Sequence, residues 1–201
     1  ARLAHYAFEF RLLHRDGHPI PVLVRARISY DAEGRPVRVS GTHQNLTDSR
    51  KAQRREMVRT FLLNLLAQDL SLPELLQQTI AQLEECLPGS LCTILLLDDE
   101  GQHIAQGFGP SLPASFLQAF NGVAIGPTQG SCGAAAYTGQ PVYIADIAHH
   151  PNWVPFLATA QAAGLAACWS QPVLVHDGQV AGTFAVYHRQ VMAPSTDDAQ
   201  L

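Results

Sequence analysis

The residue best placed for chemistry is Cys132, in I-G-P-T-Q-G-S-C-G-A-A-A-Y-T-G. It comes after a glycine loop and opens a predicted short helix, where N–H groups and the helix dipole would stabilise a thiolate. A small residue packed beneath that loop is the other reading of the position. The remaining cysteines, Cys86, Cys92 and Cys168, read as a helix-end residue, a core-strand residue and a thiol immediately before Trp169-Ser170. None of the four has metal-ligand spacing, and four are too few for a disulfide framework in this length, so reduced thiols in a cytosolic protein are expected. A second constellation is Asp146, His149, His150 and Trp153. Asp146 ends a predicted strand and can cap the next helix, while adjacent histidines before Pro151 point apart and cannot easily share a metal. The nine histidines are scattered, so no metal site is expected. No Ser/His/Asp set or carboxylate pair has motif support, and catalytic turnover is not expected.

The elements that must position these residues are predicted by local pattern. Phe8, Phe10 and Leu12 alternate with charged residues, Asp16-Gly17 marks a turn, and Val22, Val24, Ala26 and Ile28 alternate again, which predicts an antiparallel hairpin with one apolar face. Glu33-Gly34 turns the chain into a third strand through Val37, Val39 and Gly41. From Thr47 or Asp48 to about Leu70 a helix is predicted, with Asp48 as N-cap and Val58, Phe61 and Leu65 at a/d spacing. Projected back, that register puts Arg54 and Lys51 on the seam, so a self-sufficient coiled coil is not supported. Ser71-Leu72-Pro73-Glu74 is a capping box that opens a helix to about Cys86, and L-C-T-I-L-L-L then reads as a central strand, apolar on both faces. Asp98 to Gly101 is a turn, Pro113 to Phe120 a short helix, and P-V-Y-I-A-D-I a buried strand. A helix is predicted around Trp153 to Ala163, then two strands flanking His176-Asp177-Gly178.

Composition bounds the possibilities. A chain of 201 residues, 47% hydrophobic, can bury roughly 70% of its unfolded surface. No apolar run reaches the roughly 18 residues of a membrane-spanning helix, and no signal peptide opens the chain, so a soluble protein or piece of one is expected, with no membrane partner. The net charge of −4 divides unevenly. Residues 1–60 hold twelve basic and six acidic side chains, whereas the remainder holds Arg189 against eleven acids. Such a split suggests two modules. The arginines of the first alternate along strands and do not cluster, so nucleic acid is not expected as a partner.

These stretches carry two family resemblances. E-F-R-L, then D-G, R-A-R-I, D-A-E-G-R-P-V and S-G-T-H-Q-N-L-T-D-S-R-K resemble the C-terminal half of a PAS domain over residues 1–47, with residues 48–70 as a linker helix. The early PAS strands and pocket helices have no counterpart here, so nothing supports a haem or flavin, and no cofactor is expected. The uncovered apolar face needs a cover, for which the helix, the second module or a second chain are candidates. The order helix, strand, hairpin, helix, glycine loop and final hairpin resembles a GAF domain over residues 71–201, an α+β fold with an antiparallel sheet and helices. In GAF domains the loop and helix after Asp146 lie over a ligand cavity. By that resemblance Ser131, Cys132, Tyr137, Asp146, Trp153, Phe156, Trp169 and Ser170 are the ligand-binding candidates. With Arg189 its only basic side chain, such a module favours a small neutral or apolar ligand, or none, over a cyclic nucleotide or chromophore, and it lacks the Cys-His of bilin-attaching relatives.

G-T-F-A-V-Y-H-R and the stretch before it most resemble GAF domains that precede GGDEF and EAL modules, which make and degrade cyclic di-GMP. A bacterial sensory fragment controlling such an output domain, or a histidine kinase, is therefore expected. Its tail A-P-S-T-D-D-A-Q-L looks like the entry to a final helix. A parallel homodimer through the linker helix and PAS sheet is expected from their apolar surface and from the resemblance. The alternative is a free methionine-R-sulfoxide reductase, also GAF-folded with a similar G-x-C-G element, or a redox sensor using Cys132. Against the enzyme, Asn121 to Ala124 hold no cysteine where those reductases carry one, and Cys168 departs from their Cys-Asp pattern.

Overall fold

The computed structural model of the protein describes residues 3–194, in two compact units over Ala1–Phe61 and Leu62–Leu201. The tail from Ser195 onward, expected to enter a final helix, lies outside the described residues.

In the first unit three strands, β1 (Leu3–Leu13), β2 (Pro19–Tyr30) and β3 (Pro36–Asn45), form an antiparallel meander in sequence order. Phe8 pairs with Val24 and Tyr6 with Ala26, while Ile28 pairs with Val39, so the alternation in the sequence places the apolar side chains on one face. Val22 and Val24 are buried, yet Phe8 is 53% and Val39 65% exposed. That face forms a concave surface of about 540 Å³ lined by Tyr6, Phe8, Val24, Ala26, Ile28 and Val39, among others. At Gly41 a Cβ would collide with the Arg25 carbonyl oxygen, which explains why only glycine is accommodated in this close strand pairing.

Helix α1 (Thr47–Leu66) comes next. The Thr47 N–H donates to Asn45 Oδ1 at 2.9 Å, so Asn45 and not the expected Asp48 caps its start; Asp48 sits in the first turn, where its charge still complements the dipole. The helix stops at Leu66, earlier than about Leu70. Its last turn closes through Gln68 N–H to the Leu65 carbonyl, and Ser71 then starts α2 (Leu72–Cys86). The Glu74 carboxylate accepts the Ser71 N–H at 2.9 Å, the backbone bond of a capping box, and also the Ser71 hydroxyl at 2.6 Å, and these two bonds lower the Glu74 pKa.

The second unit is built on a five-stranded antiparallel sheet. Its strands are β4 (Ser90–Leu97), β5 (Ile104–Phe108), β6 (Val142–Ile144), β7 (Ala167–Leu174) and β8 (Val180–His188), in the spatial order β5-β4-β8-β7-β6. Three short helices, α3 (Ala114–Gln118), α4 (Cys132–Thr138) and α5 (Leu157–Ala162), lie in the connections. β4 is an interior strand paired on both sides, as its two-sided apolar pattern demands. β7 and β8 form the hairpin, turning at Gly178 with φ of 83°. P-V-Y-I-A-D-I is not a buried strand: only Val142–Ile144 pair, at the sheet edge, with Val142 and Tyr143 half-buried. Asp146 ends it by accepting the Ala148 N–H at 3.0 Å and so diverting the backbone into a 3₁₀ turn, Ile147–His149. The helix expected around Trp153 to Ala163 is a second 3₁₀ segment, Pro151–Phe156, leading into α5; Pro155 removes the donor that an α-helix would need there.

One face of the sheet carries α3, α4, the 3₁₀ turns and α5, over a core of Leu95, Phe116, Phe120, Trp153 and Tyr187. The other carries α2, whose Ile80 packs with Cys92, Ile94 and Val186. Strand periodicity assigns the sides: Leu95, Ala185 and Tyr187 face the first core, and Ile94 and Val186 the second.

Candidate functional site

A buried cluster of sulfur and hydroxyl groups lies where α4 starts above β7 and β8. Gly130, with φ of 62°, turns the loop beneath Phe156, and a Cβ on Gly133 would meet the Gln129 side chain at 2.7 Å. The loop can therefore fold back tightly and set Cys132 at the first residue of α4. Cys132 Sγ is 3.2 Å from Ser170 Oγ and 3.6 Å from the Tyr187 hydroxyl. Ser131 Oγ–H donates to Cys168 Sγ at 2.8 Å, and that sulfur is 3.6 Å from Ser170 Oγ. Ser131, Cys132, Cys168, Ser170 and Tyr187 are all buried, and all four cysteines are free thiols.

The electrostatics of the pair are coupled. A hydrogen bond from the Cys168 thiol, aided by Ser170 and Tyr187 against the opposing effect of burial, lowers Cys132 from 9.0 to about 6. Burial pushes Cys168 well above the ordinary thiol value, and the neighbouring Cys132 pushes it further. Burial also raises Tyr187, whose hydroxyl thus stays protonated as a donor. Cys92, on the α2 side, is raised to about 12 by burial and by Glu84, whose carboxylate accepts the Cys92 N–H at 2.8 Å. It is an inert core thiol.

Two polar atoms on the inner side are buried without a hydrogen-bond partner among the described residues: Thr93 Oγ1 and Trp153 Nε1. Thr93 lies beside the Tyr187 hydroxyl without hydrogen-bond geometry. The Trp153 ring meets that of Tyr187 edge-on at 6.3 Å, and Phe120 and Phe156 complete the aromatic wall.

The expected site residues divide by position. Ser131, Cys132, Trp153, Phe156 and Ser170 come together on the inner face. Tyr137 does not: it is 60% exposed on α4. Trp169 is buried but points to the opposite face from Cys168 and Ser170, packing on His188 at 4.3 Å between ring centroids, because successive strand residues alternate. Asp146 is at the surface, its carboxylate 2.7 Å from His149 Nδ1, and this bond leads the effects that lower its pKa. Asn152 gave no sequence signal beyond lying between Pro151 and Trp153, yet it ties the two segments over the cluster. Its Nδ2 donates to the Pro127 carbonyl at 3.0 Å and the Gly130 carbonyl at 3.3 Å, and its own carbonyl accepts the Gly130 N–H at 2.8 Å. Cys168 and Tyr187 were not legible as site residues either, since their approach to Cys132 spans elements distant in sequence.

The histidines are not all scattered. His14, Asp16 and His18 converge in the β1–β2 turn with donor atoms within 4.8 Å of one another. His14 Nδ1 already lies 3.0 Å from the Asp16 carboxylate and its ring stacks on His18, so the group is satisfied internally at the surface.

Comparison with known proteins agrees with this architecture. The GAF domain family matches residues 69–201, and the PAS fold matches residues 1–43. The chain is 30% identical over 196 residues to the methyl sulfide methyltransferase-associated sensor of Methanosarcina acetivorans, matching 98% of this chain but only 20% of that protein's length. Among solved structures it is similar to the GAF domain of the Acinetobacter phosphoenolpyruvate-protein phosphotransferase (17% identity, TM-score 0.53, 74% of this chain and 84% of the other). It is likewise similar to the free methionine-R-sulfoxide reductase of Neisseria meningitidis in complex with its substrate (22% identity, TM-score 0.53, 74% and 81%). At these identities the likeness is one of fold. With the sheet order, the covered inner face and the matched span in agreement, the chain belongs to the GAF domain family, with a PAS fold at residues 1–43.

Proposed function

We propose that this is a sensory region in which the inner face of the GAF sheet receives the signal as a small neutral molecule, and in which the change is passed to an output domain of a longer protein. One observation carries the reading: Thr93 Oγ1 and Trp153 Nε1 are buried without a partner among the described residues, beside a cluster of thiols and hydroxyls. Leaving such groups unpaired costs about 1–3 kcal/mol each, so a molecule that satisfies them binds where an apolar core would not admit it. Arg189, the only basic residue after residue 60, donates to the Ala163 carbonyl at 3.2 Å, which agrees with an uncharged ligand. The curated relative is itself a sensor, and this chain spans about a fifth of its length. The resemblance of the final hairpin to domains preceding GGDEF and EAL modules supports a cyclic di-GMP output, with a histidine kinase second. Two copies associating through the PAS sheet and α1 supply the two-fold frame for passing a shift of helices.

Trp153 and Trp169 lie on opposite faces, so a Trp169→Phe variant makes the emission report on the inner face alone. Titrating it with a panel of uncharged metabolites is expected to give a saturable change for at least one. A panel that leaves Trp153 emission unchanged, with a crystal structure showing side chains filling the cluster, overturns the reading.

A further inference from the structure

We propose that Cys132 and Cys168 form a dithiol that reacts with hydroperoxides and closes to an intramolecular disulfide. The inference rests on the reading of the inner cluster as the signal-receiving site, and it assigns that site a class of reactant. Two of the four cysteines meet, although they are far apart in sequence: one opens α4, the other lies on β7. Their sulfurs flank one hydroxyl, Ser170 Oγ, at 3.2 and 3.6 Å. Closeness on two facing elements is a first condition for a bridge between them. Cys92 is held on the other face of the sheet and Cys86 ends α2, so neither competes for the partner.

The surroundings suit the chemistry. Peroxide attack needs a thiolate, and Cys132, lowered to about 6, supplies it near neutral pH. The Cys132 thiolate attacks one peroxide oxygen and the O–O bond breaks, giving a sulfenic acid and an alkoxide that takes up a proton as alcohol. The Cys168 thiol then attacks the sulfenic sulfur: the S–S bond forms, the S–O bond breaks, and the leaving hydroxide takes the Cys168 proton as water. Two electrons pass from the thiol pair to the peroxide, and no other reductant is needed. Tyr187, 3.6 Å from Cys132 Sγ and held protonated by burial, is a donor at hand for the departing oxygen.

The test is to treat the purified chain with hydrogen peroxide, alkylate it after denaturation, and map its peptides by mass spectrometry. The wild type is expected to lose about 2 Da and two alkylatable thiols, to yield a peptide pair linked through Cys132 and Cys168, and to recover both thiols with dithiothreitol. Cys168→Ser is expected to stop at a sulfenic acid on Cys132 that dimedone traps, and Cys132→Ser to leave Cys168 unoxidised. A wild type whose Cys132 and Cys168 both stay alkylatable, or in which peroxide modifies only Cys86, overturns the proposal without reference to any variant. If metabolite binding to the Trp169→Phe protein survives that result, the dithiol alone is refuted. If both measurements fail, the reading of the site falls with it.

Discussion

At Cys132 a proton is held more loosely than in an ordinary thiol, because the neighbouring Cys168 thiol hydrogen-bonds to the anion. Between about pH 6 and 9.0 the folded chain has released this proton while the unfolded chain keeps it. The unfolded state then binds more protons, so stability rises with pH across that window, by at most about 1.4 kcal/mol per unit, and is lost as pH falls through 6. Above 9.0 the sign reverses, since Cys168 is raised and keeps a proton that its unfolded counterpart gives up. The expected measurement is an ultraviolet thiolate absorbance step, centred near pH 6 in the wild type and missing in Cys132→Ser. A wild-type step only at the ordinary thiol value contradicts the coupling. Cys132 was legible from sequence because a glycine loop and a helix start are local. Its partner was not, because the contact joins position 132 to position 168 through the placing of a helix over a strand.

The loop before α4 and the 3₁₀ segment Pro151–Phe156 are separate elements joined by the side chain of Asn152 and by one backbone bond, Gly130 N–H to the Asn152 carbonyl. Asn152 makes two of the hydrogen bonds between them, at 3.0 and 3.3 Å, to backbone carbonyls of the loop. Replacing it by alanine removes both at about 0.5–1.5 kcal/mol each. Asn152→Ala is expected to speed amide exchange at Gly130 and its neighbours while β4 and β8 stay protected. Hydrogen exchange read by mass spectrometry checks it, and an unchanged loop refutes the role given to Asn152. At this scale the strands and helices followed their periodicities, and the departures have local causes: Asn45 displaces Asp48 as cap, Pro155 keeps Trp153 off an α-helix, and Asp146 cuts β6 short.

Over the whole chain, no helix among the described residues is long and apolar enough to cross a membrane. The apolar face of the first sheet, with Phe8 and Val39 more than half exposed, and the exposed Met57, Leu63 and Leu66 of α1 are surface that water disfavours. The proposed self-association predicts a dimer mass in sedimentation equilibrium on the order of 10 μM, where a standard-sized interface is occupied. Phe8→Glu is expected to shift the mass toward monomer with the fold retained, since Phe8 is exposed in a single chain. A monomer in the wild type at that concentration refutes the dimer.

The order and kind of most elements, the position of the hairpin turns, the capping box at Ser71 and Glu74, and the GAF and PAS resemblances are all set locally along the chain. Each rests on side chains within a few positions of one another, where periodicity, glycine and capping groups act directly on the backbone. Which side chains share a site is set by the packing of elements distant in sequence. Trp153 and Trp169 are equally aromatic in sequence, but one lines the inner core and the other packs on His188 across the sheet. Cys132 and Cys168 are two of four thiols, yet only the crossing of α4 over β7 brings them to a common hydroxyl. The alternation of strand residues and the register between distant strands fix these neighbours, and neither is expressed by the residues locally.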